Sequence, residues 1–280
     1  MNKFFTFFAS CILILSSCST KNQNSDNNSK LTDTDTSTNK IATVIKANTT
    51  AEILAKEEIP VLCYHKISDG SESSYKVSEK TFTEHIKTLS DSGYHSISPD
   101  ELYDYLVFNK ELPKNPFMIT FDDSRKEHFE IAAPILEKYG YRGVFFIMTI
   151  TYNKKNYMST EQIKKMSDAG HTIGLHSWDH TMVTKYNDSI DWQKQVIAPK
   201  KKLEGITGKA LEYWAYPNGV YDHKGAEELS KYFKLSFILS SKRDTLQPLQ
   251  TVRRIIVPDY KAQKLLNSIH NSFNKTKTHN

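Results

Sequence analysis

The stretch "FMITFDDS" at residues 117–124 is a short apolar run that leads directly into two adjacent carboxylates, Asp122 and Asp123. Short runs of this kind, bounded by turn residues, are typical of β-strands. Similar runs recur from about residue 58 onward. The strand candidates are "IPVLCYH" (59–65), "YHSIS" (94–98), "FMITF" (117–121), "GVFFIM" (143–148), "TIGLH" (172–176), "EYWAY" (212–216), "LSFIL" (235–239) and "VRRIIV" (252–257).

Helical segments separate these strand candidates. Three capping boxes predict helix starts: Thr81 with Glu84, Ser98 with Glu101, and Ser159 with Gln162. Pro99 is predicted as a first helical residue, and Gly93, Gly140 and Gly170 are predicted to end helices. Alternating strands and helices predict parallel βαβ units. Since no glycine-rich phosphate-binding motif is present, a (β/α) barrel is favoured over a doubly wound sheet, and functional residues should follow the carboxyl ends of strands.

The amino-terminal residues carry a targeting signal. "MNKFFTFFASCILILSSC" has a basic start, an apolar stretch and small residues before Cys18. We expect residues 1–17 to be a signal peptide and Cys18 to be lipidated, because "LSSC" resembles a bacterial lipobox; an ordinary signal or a short anchor helix is the alternative. Residues 18–57 are polar and predict a flexible tether, which leaves 58–280 as the catalytic domain. An exported protein anchored in the cell envelope by lipid is therefore expected.

Composition excludes few functions. The net charge of +5 is modest, and no stripe of Lys and Arg alternates with aromatic residues, so no nucleic-acid partner is expected. Cys11 leaves with the signal peptide and Cys18 carries lipid, so Cys63 remains without a disulfide partner. It is interpreted as a small buried residue.

Four strand candidates end in polar groups: His65, Asp122 with Asp123, His176 followed by His180, and the segment Pro217-Asn218. One carboxylate with two imidazoles is a common zinc-binding set in hydrolases and leaves a coordination position for water. The second Asp of the pair is then available as a general base. Alternatively, Asp123 caps the next helix and Asp122 is solvated.

Together, "ITFDDS" (119–124), "GHTIGLHSWDH" (170–180) and "WAYPNG" (214–219) resemble the motifs of the polysaccharide deacetylase family, also called NodB-homology domains or carbohydrate esterase family 4. "VLCYHKI" (61–67) further resembles the branch that deacetylates poly-N-acetylglucosamine. The resemblance implies a deformed (β/α)7 barrel and a divalent metal, usually Zn²⁺, with Co²⁺, Ni²⁺ or Fe²⁺ as alternatives.

The resemblance also implies residue roles. Asp123, His176 and His180 would bind the metal. Asp122 would act as base, and His65 as the acid that protonates the departing amine. Tyr216 and Pro217 would line the site, and the N–H of Asn218 would hold the oxyanion. Trp178 is either a wall of the sugar groove or a packing residue.

Some positions depart from the family pattern. Ser124 stands where Gly is common, Ala215 stands where an Arg orients the base, and Asn218 replaces an aromatic residue. Arg253 and Arg254 either support the site from the last strand or form ordinary salt bridges. His85, His95 and His128 are expected on helix or strand surfaces.

The expected function is hydrolytic removal of acetyl groups from N-acetylglucosamine units of a cell-envelope or extracellular polysaccharide. Two alternatives use the same barrel. One is an O-acetyl esterase acting on a xylan-type glycan, and the other is a non-catalytic glycan-binding protein.

Overall fold

A computed structural model describes residues 46–69 and 75–273. Within these residues the strands are β1 (Val61–Tyr64), β2 (Lys66–Ile67), β3 (Lys76–Val77), β4 (His95–Ser96), β5 (Pro116–Phe121), β6 (Val144–Ile147), β7 (Thr172–Leu175), β8 (Tyr213–Ala215), β9 (Leu235–Leu239) and β10 (Val252–Ile256). All eight strand candidates contain a strand. β2 and β3, which form a separate pair, were not predicted.

Seven parallel strands close into a barrel in the order β1, β10, β9, β8, β7, β6 and β5, and β5 pairs again with β1. β1 has both barrel neighbours in register, with Leu62 opposite Ile119 of β5 and Ile255 of β10. β4 pairs only with Pro116 and Phe117 at the start of β5, so it is not one of the seven strands that close the barrel. The expectation of a deformed (β/α)7 barrel is confirmed.

The helices are α1 (Thr50–Ala55), α2 (Glu79–Asp91), α3 (Pro99–Phe108), α4 (Ala133–Lys138), α5 (Thr160–Asp168), α6 (Ser189–Trp192), α7 (Ala198–Thr207), α8 (His223–Leu229) and α9 (Ala262–Phe273). Short helical turns lie at Thr149–Thr151, Val183–Lys185 and Pro217–Gly219, and π-helical segments at His128–Ala132 and Gln193–Ile197. None of the described helices has the length and apolar character needed to cross a membrane.

Helix starts were predicted with one error. The capping boxes of Ser98 and Ser159 are present, and Pro99 occupies the first turn of α3. The box expected at Thr81 is wrong, because α2 begins three residues earlier and Ser78 accepts the hydrogen bond from the Thr81 N–H. Ser78 and Thr81 are both suitable N-cap residues, and the local sequence pattern alone does not show which of them begins the helix.

The core has two layers, because residues of a strand alternate between its two faces. Inward-facing residues such as Met118 of β5 and Phe146 of β6 fill the barrel. Outward-facing residues such as Ile119 and Phe145 pack under the helices. Hence Thr120 and Asp122, which continue the inward-facing series of β5, lie at the barrel axis with Asp122 at its mouth.

The predicted tether at residues 18–57 is wrong for its last part. α1 lies inside it, with a capping box at Thr49 and with Ile53 buried. The Asn48 side chain donates to Leu106 O, and Arg243 donates to Ile53 O and Leu54 O. These contacts attach residues 48–54 to the domain. A segment with only a few apolar residues gave no sign of these contacts. The predicted signal peptide and Cys18 lie outside the described residues.

Candidate active site

The polar groups that follow four barrel strands meet in one cleft of about 310 Å³ at the carboxyl ends of the strands. Its lining consists of His65, Tyr75, Asp122, Asp123, His176, His180, Asn218 and Leu239. The parallel strands explain this convergence, since all of their carboxyl ends lie at the same end of the barrel. Six of the nine residues predicted for the catalytic, metal and substrate roles line this cleft.

Asp123, His176 and His180 form a set that could hold a metal ion, since their ligand atoms all lie within 4.8 Å of one another. Asp123 Oδ1 is 3.8 Å from His176 Nε2 and 3.6 Å from His180 Nε2. Tetrahedral ligands bound to zinc at about 2.0–2.1 Å lie about 3.3–3.4 Å apart, so only a small closure would be needed. The fit is supported by His176, whose Nδ1 is 2.8 Å from the Ala215 carbonyl. Donation to that carbonyl fixes the tautomer that leaves Nε2 free to coordinate.

A second group of potential ligands consists of Cys63, His65 and Asp122. It is a poorer cation site, because both oxygens of Asp122 already accept hydrogen bonds from a guanidinium group and burial raises the pKa of the Cys63 thiol. The donor chemistry therefore favours Asp123, His176 and His180 as the metal ligands.

Asp122 is held by Arg254 in a buried, bidentate ion pair. Arg254 Nη1 donates to Oδ1 at 2.7 Å and Nη2 donates to Oδ2 at 2.8 Å, and both side chains are almost fully buried. Burial acts to raise the pKa of Asp122, but the Arg254 charge outweighs it, with help from His176, and holds the pKa well below its usual range. Asp122 is therefore an ionised carboxylate that can accept a proton.

Arg254 provides a guanidinium group beside Asp122, although the position where the family has an arginine is occupied by Ala215 in this chain. Ala215 lies on β8, whereas Arg254 lies on β10, on the other side of β9. The sequence left open whether Arg253 and Arg254 support the site or form ordinary salt bridges. Arg254 supports the site, whereas Arg253 forms an ordinary salt bridge with Glu58. One sequence signal could have separated them: in the alternation of "VRRIIV", only one of two adjacent arginines can face the barrel interior.

His65 lies across the cleft from the metal-ligand set. Its Nε2 is 3.9 Å from Asp122 Oδ2, and its Nδ1 is 3.8 Å from Cys63 Sγ. Burial lowers the pKa of His65, while the nearby Asp122 acts in the opposite direction. The geometry brings the predicted acid next to the predicted base.

His128 fixes the backbone at His65, and it was wrongly expected on a surface. It is fully buried, packs against the stacked rings of Phe121 and Phe145, and donates from Nε2 to the His65 carbonyl. Burial lowers its pKa to about 4, so the ring is neutral at ordinary pH.

The expectation of a surface position was also wrong for His85, which is buried between Tyr64 Oη and the Tyr260 carbonyl. It was correct for His95, which is exposed. Helical periodicity did not reveal the burial of His85, because the aromatic residues around it come from distant parts of the chain.

Several site residues have left-handed backbone conformations, with φ of 75° at Asp123, 58° at Ser124, 64° at Ser177, 74° at His180 and 57° at Asn218. Non-glycine residues with positive φ are uncommon and often mark functional sites. The positive φ of Ser124 is a conformation that glycine adopts without strain, which explains why glycine is common at this position in the family. The Ser124 hydroxyl compensates by accepting a hydrogen bond from Met148 N at 2.7 Å, which ties the Asp-Asp turn to the end of β6.

The segment after β8 contributes through Asn218 alone among its predicted residues. Asn218 is exposed and lines the cleft, and the adjacent Gly219 lies so close to Leu239 that an added Cβ would be 2.3 Å from Leu239 Cβ. The prediction that Tyr216 and Pro217 line the site is wrong for their side chains. Both are buried outside the cleft lining, and Tyr216 packs against Trp214 and Tyr221.

Trp178 also lies outside the residues that line the cleft. Lys194 Nζ is 4.5 Å from the centre of its ring, and its backbone N–H donates to Gln195 Oε1. These contacts agree with a packing role for Trp178 rather than with a role as a wall of the sugar groove. Asp179, which lies between His176 and His180 in the sequence, accepts hydrogen bonds at Oδ1 from the backbone N–H and the hydroxyl of Thr181.

A seven-stranded parallel barrel with a His-His-Asp set and an ion-paired carboxylate at its mouth has the layout of a hydrolase site. Comparison with known proteins points to one family: the sequence profile described as polysaccharide deacetylase matches residues 109–233 of the chain. Over this segment the chain is similar to the polysaccharide deacetylase family.

Individual relatives agree with this assignment. The chain is 29% identical over 174 residues to YxkH of Bacillus subtilis, a candidate polysaccharide deacetylase, and the match covers 62% of this chain and 61% of that protein. It is 27% identical over 188 residues to the poly-β-1,6-N-acetyl-D-glucosamine N-deacetylase of Staphylococcus aureus, covering 61% and 64% of the two chains. The chain thus spans less than two thirds of the length of both relatives. The solved structure of IcaB from Ammonifex degensii superposes with a TM-score of 0.65 at 26% identity, over 76% of this chain and 97% of that one.

Proposed function

We propose that the protein is a metal-dependent deacetylase that removes acetyl groups from N-acetylglucosamine units of a polysaccharide. The observation that carries the proposal is the placement of an Arg-paired carboxylate, Asp122, beside the metal-ligand set. The oxygen that accepts from Arg254 Nη2 is 4.0 Å from His176 Nε2. The similarity to a poly-β-1,6-N-acetyl-D-glucosamine N-deacetylase supports this substrate class.

A divalent ion held by Asp123, His176 and His180 would polarise the acetyl carbonyl and lower the pKa of a bound water to about 7. The two-imidazole, one-carboxylate donor set suits Zn²⁺, and Co²⁺, Ni²⁺ or Fe²⁺ could use the same ligands. All three side chains follow barrel strands, so the scaffold orients them before any ion binds.

Asp122 accepts the proton of the attacking water through the oxygen that faces His65 and His176. Arg254 keeps this carboxylate ionised and fixes its orientation with two hydrogen bonds. His65, on the opposite side of Asp122, donates a proton to the amine nitrogen as the carbon–nitrogen bond breaks. Separating base and acid lets one accept while the other donates, and each typically contributes about 10²–10⁴-fold.

The N–H of Asn218 is the proposed donor to the oxyanion. The left-handed conformation of this residue sets the direction of its peptide groups at the cleft. Such a donor would act on charge that develops only in the transition state.

Acetate release from N-acetylated β-1,4 and β-1,6 glucosamine oligomers tests the proposal. The expected result is release that is lost on chelation, returns on addition of Zn²⁺ or Co²⁺, and is abolished in Asp122→Asn. Trp178→Phe is a matched control, because this ring lies outside the cleft. Absence of acetate release from every oligomer with metal supplied would refute the proposal.

The two alternatives differ in their support. The non-catalytic reading rested on the departures at Ala215 and Asn218. Arg254 supplies the guanidinium group that Ala215 lacks, which weakens that reading. The O-acetyl esterase shares the same site and is distinguished by its smaller need for the acid His65.

We further propose that the protein is exported and anchored in the cell envelope through lipid on Cys18. The apolar signal and the "LSSC" motif support this location. Metabolic labelling with a radioactive fatty acid should label the wild-type protein and leave Cys18→Ala unlabelled. Labelling of both would refute the anchor.

A further inference from the structure

Cys63 lies on the inward face of β1, since Val61 of the same strand fills the barrel and alternate residues share a face. The next residue on this face is His65. Across the sheet Cys63 pairs with Thr120 of β5, and the next inward residue of β5 is Asp122. The thiol is fully buried. It therefore lies one step below both the proposed acid and the proposed base.

The sulfur of Cys63 contacts both of these groups. Cys63 Sγ is 3.6 Å from Asp122 Oδ2 and 3.8 Å from His65 Nδ1. A thiol is a weak donor and a weak acceptor of hydrogen bonds, so it can serve the two groups at once. Within the described part of the chain, this sulfur is the hydrogen-bond partner of His65 Nδ1.

The charge on Asp122 decides the direction of these hydrogen bonds. Arg254 keeps the carboxylate ionised, so Oδ2 can only accept. Burial raises the pKa of the Cys63 thiol, so the sulfur keeps its single proton. That proton points to the charged oxygen, because hydrogen bonds to an ionised group are stronger than those between neutral groups. The lone pairs of the sulfur then remain for His65, which donates from Nδ1.

This direction sets the tautomer of His65. A neutral ring that carries its proton on Nδ1 has its free lone pair on Nε2, which is the nitrogen 3.9 Å from Asp122 Oδ2. When His65 protonates the departing amine, Nε2 gives up its proton and Nδ1 keeps its own. A neutral sulfur suits this role, because a carboxylate at Nδ1 would stabilise the imidazolium and oppose release of the proton.

We propose that Cys63 is a positioning residue that holds His65 in the Nδ1–H tautomer by bridging the acid and the base. The inference rests on the proposed function and adds to it a residue that acts through His65 and Asp122. His128 fixes the backbone of His65 through its carbonyl, whereas Cys63 fixes the ring. The orientation of the acid is thus set both by the segment that follows β5 and by β1 itself.

The ring-nitrogen NMR shifts of His65 report its tautomer in the full-length protein supplied with Zn²⁺, with His65→Ala to assign the signals. At a pH where the ring is neutral, the wild type should be protonated on Nδ1 and unprotonated on Nε2. Cys63→Ala removes the acceptor and should populate the Nε2–H form, whereas Cys63→Ser restores a donor and an acceptor and should keep the Nδ1–H form. An Nε2–H tautomer in the wild type, or an unchanged tautomer in Cys63→Ala, would overturn the proposal.

The kinetic test compares an N-acetylglucosamine oligomer with an activated acetate ester, which depends less on an acid. An acid typically contributes about 10²–10⁴-fold, and partial loss of its tautomer should lower kcat for the oligomer by about tenfold in Cys63→Ala, with KM and the ester rate nearly unchanged. Cys63→Ser should recover most of this loss.

Val61→Ala is the matched control, because it opens a small void on the same face of β1 one step further from His65. It should leave the ratio of the oligomer rate to the ester rate unchanged. Equal losses on both substrates in Cys63→Ala, or the same change of ratio in Val61→Ala, would overturn the proposal. If no substrate releases acetate, the proposed function fails, and the tautomer of His65 still decides this inference.

Discussion

Replacing Arg254 with Met should convert Asp122 from an ionised base into a carboxyl group that is protonated over much of the acidic range. The guanidinium group makes both hydrogen bonds to Asp122 at 2.7 and 2.8 Å, and neither side chain has appreciable contact with solvent. Without Arg254, burial is the largest remaining influence on this pKa and it acts upward.

The magnitude follows from the cost of a broken buried pair. Removing one partner of such a pair costs about 3–5 kcal/mol. At 1.36 kcal/mol per pKa unit, this corresponds to a rise of about 2–4 in the pKa of Asp122. In the wild type the folded-state pKa lies below the unfolded value, so the stabilisation is present above about pH 4 and is lost as the pH falls further. Arg254→Met should lose it throughout the neutral range.

The assay is kcat/KM for a small acetylated substrate against pH, with the free energy of unfolding measured in parallel. Arg254→Met should move the acid limb of the profile toward neutral pH and lower the plateau by about 10²–10⁴-fold. Arg253→Met is the control, because this neighbour is also buried but pairs with Glu58 on the outer face. It should destabilise the fold without moving the acid limb. An unchanged acid limb in folded Arg254→Met would refute the assignment of Asp122 as an Arg-stabilised base.

Three other perturbations have defined outcomes. His65→Ala should reduce kcat/KM for an N-acetyl substrate by about 10²–10⁴-fold but affect an activated ester much less, and an equal loss on both would argue against an acid role. Ser124→Ala should destabilise the protein by about 1–3 kcal/mol in denaturant titrations, because the Met148 N–H loses its acceptor. Ser124→Gly should cost less, since it relieves a left-handed conformation worth about 1–2 kcal/mol, and the reverse order would contradict this account. The folded-state pKa of His128 is about 4, so the folded protein resists protonation of this ring as the pH falls. Between pH 6.5 and 4 the free energy of unfolding of the wild type should therefore fall by about 3 kcal/mol more than that of His128→Phe. Parallel curves of unfolding free energy against pH for the two proteins would contradict the burial argument.

The fold was predictable because its signals are local. The apolar runs, the caps at Ser98 and Ser159 and the polar groups at strand ends each occupy a few adjacent residues. The rule that parallel barrels place functional residues at the carboxyl ends of strands was enough to bring His65, Asp122 and His176 together. It could not indicate which side chains beyond them would turn toward the cleft.

The features of the site that the sequence did not predict depend on contacts between residues that are far apart in the chain. Arg254 is 132 positions from Asp122, and His128 is 63 positions from His65. Neither pair leaves a local pattern, and a buried histidine on a π-helical segment reads as an exposed one by ordinary helical periodicity. The attachment of residues 48–54 to the domain is hidden for the same reason, since its partners lie near residues 106 and 243.

Two adjacent carboxylates at the end of a strand raise one another's pKa unless their charges are separately compensated. The barrel provides that compensation by turning the two side chains to different partners. Asp122 continues the inward alternation of β5 and meets Arg254, which closure of β10 against β1 brings to the barrel axis. Asp123 would face the helices if the strand continued, but its left-handed backbone turns it toward His176 and His180. Ser124 then anchors the same turn to β6. The chemical difference between the two aspartates therefore comes from their backbone conformations and partners, since their side chains are identical.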